Sequence, residues 1–151
     1  MTRIIRILLA AYIALISVIV FWPTPVDRPV ASRIRAAVGV VQEAGATSVS
    51  YNTVEITANV LMFVPLGVLL VLAVARLPWW WAPIAAGVFS CAIEFVQFAF
   101  VAQRNATWVD AVANTSGAVI GALAVYLLQI VRARRTRRTR SARARSVPEL
   151  P

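Results

Sequence analysis

Four long apolar runs dominate the pattern of hydrophobic and polar positions along the chain. They cover residues 4–22, 59–77, 79–101 and 109–131. Each run is about twenty residues long, which is enough for a helix to cross the hydrocarbon core of a bilayer. Because a helix satisfies its backbone hydrogen bonds internally in lipid, we predict an all-α integral membrane bundle of four transmembrane helices.

The runs and the polar segments beside them divide the chain into four regions. We interpret residues 1–22 as an N-terminal transmembrane anchor, 23–58 as an extracytoplasmic loop, 59–131 as a three-helix core and 132–151 as a disordered, basic cytoplasmic tail. A cleaved signal peptide is the alternative for the first run, but no small-x-small cleavage pattern follows it. Within the loop, residues 30–42 have mixed helical spacing and are predicted to form a short interfacial helix.

The arginines set the predicted orientation of the bundle. The chain has fifteen arginines, no lysine and a formal net charge of +9. Eight arginines lie in residues 132–145, and Arg3, Arg6 and Arg76 fall on the same side of the membrane as that segment. The arginines on the opposite side are Arg28, Arg33, Arg35 and Arg104. By the positive-inside rule we predict that both termini are cytoplasmic.

The basic segment at the C terminus has two candidate partners. Its composition is similar to that of a nucleic-acid-binding arm. Arginines next to a membrane span also bind anionic lipid, at about 1 kcal/mol each near the surface. We favour membrane lipids as the partner and expect no nucleic acid.

Composition excludes several classes of function. The sequence is 60% hydrophobic and 14% charged, and its apolar fraction is well above the roughly 45–50% that is usual for soluble domains. It has no histidine, and its one cysteine, Cys91, has no partner for a disulfide. Histidine-based catalysis and histidine metal sites are therefore excluded. With six acidic residues in all, we expect no metal cage and no cofactor.

The predicted topology gathers seven polar residues in the outer half of the bundle. Glu94 would lie about 10 Å below the outer end of the third span, at about 1.5 Å per residue. A carboxylate at that depth costs several kcal/mol unless it is paired or neutralised, which favours a functional role. The seven residues are Glu55, Asn59, Glu94, Gln97, Arg104, Asp110 and Asn114.

Glu94 has a functional and a structural interpretation. In the first, its carboxylate accepts a proton or contacts a ligand, with Arg104 as the electrostatic partner. In the second, a Glu94–Arg104 or Glu94–Asn114 link only holds the helices together. We favour the functional interpretation.

Helical spacing places the polar and small residues on defined faces. One side of the third span carries Ser90, Glu94 and Gln97, and one stripe of the fourth carries Asp110, Asn114, Gly117 and Gly121. The two glycines, four residues apart, allow another helix to approach closely, either the second or third span or a second copy of the chain. In the second span, Gly67 shares a face with Asn59, and Pro65 leaves the carbonyl of Leu61 without its helical donor. We assign Pro65, Gly67, Gly117 and Gly121 to helix packing.

Three segments resemble the signatures of the VanZ-like family of small membrane proteins. The first is NVLMFVPLG, which contains Asn59, Pro65 and Gly67. The second is SCAIEFVQF, which contains Glu94 and Gln97. The third is RNATWVDAVANTSGAVIG, from Arg104 to Gly121. Each segment is weak alone, but their order and intervals together are specific.

The resemblance implies a multi-pass protein of the bacterial cell membrane, tied to the cell envelope. The family is named for an accessory protein that raises tolerance to teicoplanin, so the resemblance raises antibiotic resistance as an expectation. It supplies no reaction, and it makes the motif residues candidate site positions only.

We interpret the protein as binding an anionic, envelope-related amphiphile or a lipid headgroup at an outer-leaflet site. The expected partners are membrane lipids and an envelope precursor or lipoglycopeptide. The candidate ligand-binding residues are Asn59, Glu94, Gln97, Arg104, Asp110 and Asn114. The guanidinium of Arg104 would suit a phosphate or carboxylate.

Two alternatives remain open. A structural or accessory subunit would use the polar residues only for helix contacts and could form a homo-oligomer through the Gly117/Gly121 face. An intramembrane enzyme acting on a lipid-linked substrate would use Glu94 as general acid or base, but no activated nucleophile is evident. Whether the protein is an enzyme therefore stays open.

Overall fold

The computed structural model describes residues 2–21, 31–100 and 107–145, and these residues form five helices with no strand among them. Four of the helices are long and apolar enough to span a membrane, which confirms the predicted class of an all-α bundle with four spans. The helices are α1 (Thr2–Val20), α2 (Ala31–Glu43), α3 (Tyr51–Ala73), α4 (Trp81–Phe100) and α5 (Trp108–Arg145).

Large apolar side chains on the outside of the bundle fit a lipid environment. Phe98 is 82% exposed, Trp108 79% and Phe95 69%. A soluble protein rarely leaves so much contiguous apolar surface in water, whereas lipid chains cover it without cost. Most of the buried side chains are apolar as well, and Phe63 and Ile16 are completely buried.

The closest helix contact joins α3 to α5. Gly117 and Gly121 of α5 lie against the backbone of α3 at Val60 and Val64, and Gly67 of α3 lies against Ala118 of α5. A Cβ atom on Gly117 would overlap the carbonyl oxygen of Val60 and lie 2.9 Å from its carbonyl carbon. The absence of side chains at these glycines therefore sets the distance between the two helices. We call this contact the glycine seam.

Hydrogen bonds attach α1 to α3 in an antiparallel arrangement. Arg6, near the start of α1, donates from Nε to the carbonyl oxygen of Ala73 at the end of α3 (3.5 Å). One and a half turns further along α1, the hydroxyl of Tyr12 donates to the carbonyl oxygen of Met62 (2.8 Å). Met62 is next to Leu61, whose carbonyl loses its helical donor to Pro65. Tyr12 thus supplies a donor to α3 beside the proline, which lipid chains would not supply.

The helix directions give the bundle two distinct ends. We call the end where α3 and α5 begin and α1 and α4 finish the polar end. The other is the arginine end, which holds Arg3, Arg6, Arg76 and the last part of α5. Within residues 51–100 and 107–131, Arg76 is the one basic residue, and it lies in the turn between α3 and α4.

Three element boundaries differ from or refine the sequence expectations. The second span begins at Tyr51 instead of residue 59, because Ser50 and Thr53 form a capping box in which each side chain accepts from the other's backbone N–H. The loop helix expected at residues 30–42 is found as α2, Ala31–Glu43. The third boundary, at the C terminus, is the largest difference.

The segment expected to be disordered from residue 132 is instead helical to Arg145, as a continuation of α5. Alanine and arginine are among the best helix formers, and they make up most of this segment. The hydroxyls of Thr136 and Thr139 donate to the carbonyls of Arg132 and Arg135 within the same helix.

Candidate functional site

The carboxylate of Asp110 is the centre of a hydrogen-bonded group at the polar end. Asn59 Nδ2 on α3 donates to Asp110 Oδ1 (2.7 Å), and the hydroxyl of Thr107 donates to Asp110 Oδ2 (2.7 Å). Asp110 is in the first turn of α5, where the helix dipole favours a negative charge. Both oxygens of the carboxylate are therefore held in place, one from each side.

Thr107 connects this group to Glu94 on α4. Its backbone N–H donates to Glu94 Oε2 (3.0 Å), and its hydroxyl oxygen accepts from the backbone N–H of Asp110 (3.3 Å). In a capping box the N-cap N–H would pair with the acid three residues later. Here Glu94 takes that place, so the start of α5 is fastened to α4. We call the set Asn59, Asp110, Thr107 and Glu94 the upper rung.

A second group lies one helical turn deeper in the bundle, about 6 Å along α5. Asn114 Nδ2 donates to Ser90 Oγ on α4 (2.8 Å). Asn114 is 4% exposed and Ser90 is completely buried. Asn114 is four residues after Asp110, and Ser90 is four residues before Glu94, so the pair is directly below the upper rung. We call it the lower rung, and the two rungs together the polar column.

The amide oxygen of Asn114 is buried and has no hydrogen-bond partner. Buried polar atoms are nearly always paired, and leaving one unpaired costs about 1–3 kcal/mol. The lower rung is thus the place in the polar column where the protein leaves an acceptor unused.

Gln97 occupies a different place from the other candidate residues. Its Nε2 donates to the carbonyl oxygen of Val20, the last residue of α1 (2.9 Å), and the side chain is 4% exposed. A helix leaves its last carbonyls without internal partners, so Gln97 completes the C-terminal end of α1. Gln97 therefore joins α4 to α1 outside the polar column.

A family model described as VanZ/LLP1 matches residues 9–129. The chain belongs to the VanZ/LLP1 family. The matched region begins within α1 and ends within α5, and it contains every residue of both rungs and of the glycine seam. Comparison with curated proteins and with solved structures finds no significant match.

The fold of this VanZ-like protein brings together four of the six candidate ligand-binding residues. Asn59, Glu94 and Asp110 meet in the upper rung, and Asn114 lies beneath them. Gln97 points to α1 instead. Arg104 lies outside the described residues, and so does the predicted Glu94–Arg104 pair. The amide nitrogen of Asn114 donates to Ser90 Oγ.

Three of the four residues assigned to helix packing lie in a helix contact, and one does not. Gly67, Gly117 and Gly121 are buried in the seam, whereas Pro65 is exposed on the outer side of α3. The Gly117/Gly121 face is covered by α3 within the chain. Of the partners expected for this face, the second span is the one that packs there within the chain.

Sequence reasoning missed Thr107, which contacts both carboxylates of the upper rung. The pattern Thr-x-x-Asp before an apolar run is an N-capping signal and could have identified it. Among the described residues, no three histidine, cysteine, aspartate or glutamate side chains group as metal ligands. The VanZ-like column therefore offers hydrogen-bond acceptors and negative charge near one end of a membrane bundle.

Proposed function

We propose that this VanZ-like membrane protein binds the headgroup of an anionic, envelope-related amphiphile at the polar end of the bundle. The observation that carries the proposal is the polar column itself. Two carboxylates and two amides from three spans come together there, whereas α3 and α5 below it meet through glycine and apolar side chains. Ionisable residues at membrane depth are expensive to maintain, so a binding role is the default hypothesis.

The distribution of arginines supports placing this site in the outer leaflet. Arg3, Arg6 and Arg76 lie at the arginine end, and α5 carries eight more arginines beyond residue 131. By the positive-inside rule that end is cytoplasmic, so the polar end faces the envelope of a bacterial cell. Reporter domains fused to each terminus test the orientation, and an extracytoplasmic signal from either one would contradict it.

The preference for an anionic headgroup rests on Arg104, three residues before Thr107. A guanidinium binds phosphate or carboxylate through paired donors, and this position is next to the upper rung in sequence. Lipid-linked envelope precursors and teicoplanin-type lipoglycopeptides both combine an acyl chain with polar groups. We propose that the protein raises the tolerance of the cell to such an antibiotic.

Native mass spectrometry of the full chain, purified from bacterial membranes in a mild detergent, tests the proposal. The parent protein should retain a defined anionic amphiphile, and the Glu94→Gln, Arg104→Ala double variant should lose it. Glu94→Gln keeps an oxygen that can accept from Thr107, so the start of α5 should remain attached. Ser116→Ala is the matched control, because Ser116 is exposed on α5 and donates only to the carbonyl of Val112 in its own helix. Equal retention by all three folded proteins would refute the proposal.

An accessory-subunit function is the second candidate, and the hydrogen bonds of the column favour it. Three of these bonds join different helices. They connect Asn59 to Asp110, Thr107 to Glu94, and Asn114 to Ser90. In this case the double variant would lower the yield of folded protein, and the parent would carry no specific amphiphile. No observation on the described residues favours the enzyme alternative.

A further inference from the structure

The unpaired amide oxygen of Asn114 identifies the kind of group that the polar column lacks. Ser90 Oγ is the hydrogen-bond partner of the Asn114 side chain, and it satisfies one of the two amide atoms. The nitrogen and oxygen of an amide are assigned from their surroundings. In the structure the amide nitrogen of Asn114 donates to Ser90, so the amide oxygen is a buried acceptor that requires a donor.

The charges around the lower rung restrict which donor fits. Asp110 is one turn above Asn114 on α5, and Glu94 is one turn above Ser90 on α4. Arg35 on α2 lies near the polar end, with its guanidinium 5.3 Å from the centre of the Tyr51 ring, and the one basic residue within residues 51–100 and 107–131 is Arg76, at the arginine end. A donor that reaches Asn114 from the polar end therefore passes the carboxylate of Asp110, which favours a positively charged group over a neutral hydroxyl.

The column also ends at the lower rung. Three residues below Asn114, the backbone of Gly117 is against Val60 and Phe63, and a Cβ atom there would already lie 3.1 Å from Phe63 Cβ. The polar groups thus form a site closed on the side of the arginine end, and they do not continue as a path through the bundle. A group that enters must be small enough to end at Asn114.

A primary ammonium group meets these requirements. It has three N–H donors and no acceptor, and it carries a compact positive charge. One donor would satisfy the oxygen of Asn114. Each carboxylate oxygen of Asp110 accepts one described bond and has a second lone pair, so the carboxylate can accept another. A quaternary ammonium has the same charge but no N–H donor.

We propose that the polar column binds the primary ammonium group of a zwitterionic headgroup, with Asn114 Oδ1 and the carboxylate of Asp110 as acceptors. This inference rests on the headgroup site of the proposed function and narrows the headgroup to one that carries an ammonium group as well as an anionic group. The ammonium would point into the bundle.

A series of short-chain phospholipids that differ only in methylation of the nitrogen tests the inference. The full chain in detergent is titrated with dihexanoyl phosphatidylethanolamine, its N,N-dimethyl derivative and dihexanoyl phosphatidylcholine, and binding is read by native mass spectrometry. Affinity should fall at each step, by about tenfold or more over the series, the factor expected when a hydrogen bond to a buried acceptor is lost. Asn114→Leu should reduce the difference and leave only the part that Asp110 supplies, and Ser116→Ala should leave it unchanged.

The outcomes separate this inference from the proposed function. If the parent binds all three lipids equally, or prefers dihexanoyl phosphatidylglycerol, the ammonium site is refuted and headgroup binding stands. If the folded parent binds none of the four lipids, both proposals fail. If Asn114→Leu does not fold, the methylation series on the parent tests the ammonium site. Asn114→Asp, which keeps an acceptor at this position, should retain the preference for the primary ammonium.

Discussion

Replacing Gly117 with alanine should destabilise the protein through the glycine seam. The new Cβ would overlap the carbonyl oxygen of Val60, and it would lie 2.9 Å from the carbonyl carbon and 3.1 Å from Phe63 Cβ. Ordinary contacts begin at 3.4 Å and the carbonyl oxygen is the nearest of these atoms, so α3 and α5 must separate by more than about 1 Å. The atoms in the way belong mostly to the backbone, which cannot rotate aside as a side chain can.

The size of the effect follows from two opposing contributions. An extra methyl group in a packed interior costs typically about 1–3 kcal/mol. Alanine is a better helix former than glycine by about 1 kcal/mol, which offsets part of that cost. We expect a net loss of about 1–2 kcal/mol, because separation of the helices also loosens the contacts of Phe63, which is completely buried.

Two other glycines provide a graded control. Gly39 on α2 has open space where its Cβ would be, so Gly39→Ala should be neutral or slightly stabilising. At Gly87 on α4 a Cβ would meet the side chain of Thr115, with 3.2 Å to Oγ1, so a small rotation relieves the contact. The expected order of stability is therefore Gly39→Ala, then Gly87→Ala, then Gly117→Ala.

Thermal unfolding of the detergent-solubilised protein measures this order. Each kcal/mol should change the midpoint by about 2–4 °C for a chain of this size. Size-exclusion chromatography after heating gives the fraction that remains folded, and circular dichroism confirms helix content beforehand. A Gly117→Ala midpoint equal to or above that of Gly87→Ala would refute the view that α3 and α5 touch through their backbones.

Three further substitutions test individual hydrogen bonds by the same thermal assay. Tyr12→Phe removes the donor to the carbonyl of Met62 and should cost about 0.5–1.5 kcal/mol, and an unchanged midpoint would mean that the proline region of α3 needs no outside donor. Gln97→Leu leaves the carbonyl of Val20 buried without its donor and should cost about 1–3 kcal/mol, whereas Gln97→Glu, if protonated, can still donate and should lose less. Thr107→Val removes the hydroxyl that donates to Asp110 but keeps the backbone N–H that donates to Glu94. It should cost about 1–2 kcal/mol, and failure of Thr107→Ser to restore the midpoint would argue against the hydroxyl as the cause.

The four spans could be predicted because span length and apolar content depend on the bilayer and not on partner helices. The start of α3 could not be found in the same way. Residues 51–58 include Asn52, Thr53 and Glu55, so hydropathy alone places the start of the span at residue 59. The helix begins earlier because of the capping box at Ser50, which is a local hydrogen-bonding signal independent of hydropathy.

The end of the bundle where the candidate residues lie could be predicted from the sequence, but the hydrogen-bonded pairs that they form could not. Topology alone brings Asn59 and Asp110 to the same end of the bundle, and they are indeed hydrogen-bonded. The choice of Ser90 as the partner of Asn114 depends on how far α4 and α5 are rotated about their axes. The direction of Gln97 depends on the same rotation. One sequence does not specify that angle, because several rotations bury similar apolar surface.

The glycine spacing illustrates the same limit. Gly117 and Gly121 predict that a helix comes close, but the second span, the third span and a second copy of the chain all satisfy the pattern equally. What selects α3 is its own small residue, Gly67, which lets the two backbones interlock from both sides. A pair of matching faces is a property of two segments, so it is visible only when both are considered together.

The glycine seam and the polar column are parts of one stripe of α5, and this couples packing to the site. Asp110 and Asn114 lead directly into Gly117 and Gly121 along the same face of the helix. The 2.7 Å bond between Asn59 and Asp110 therefore has its length set partly by the backbone contact two turns below it. A separation of about 1 Å at the seam would lengthen that bond beyond the usual range for a charge-assisted hydrogen bond, which is about 2.7–2.9 Å. The small residues of the stripe thus hold the two carboxylates and the unpaired amide at the spacing on which any headgroup binding depends.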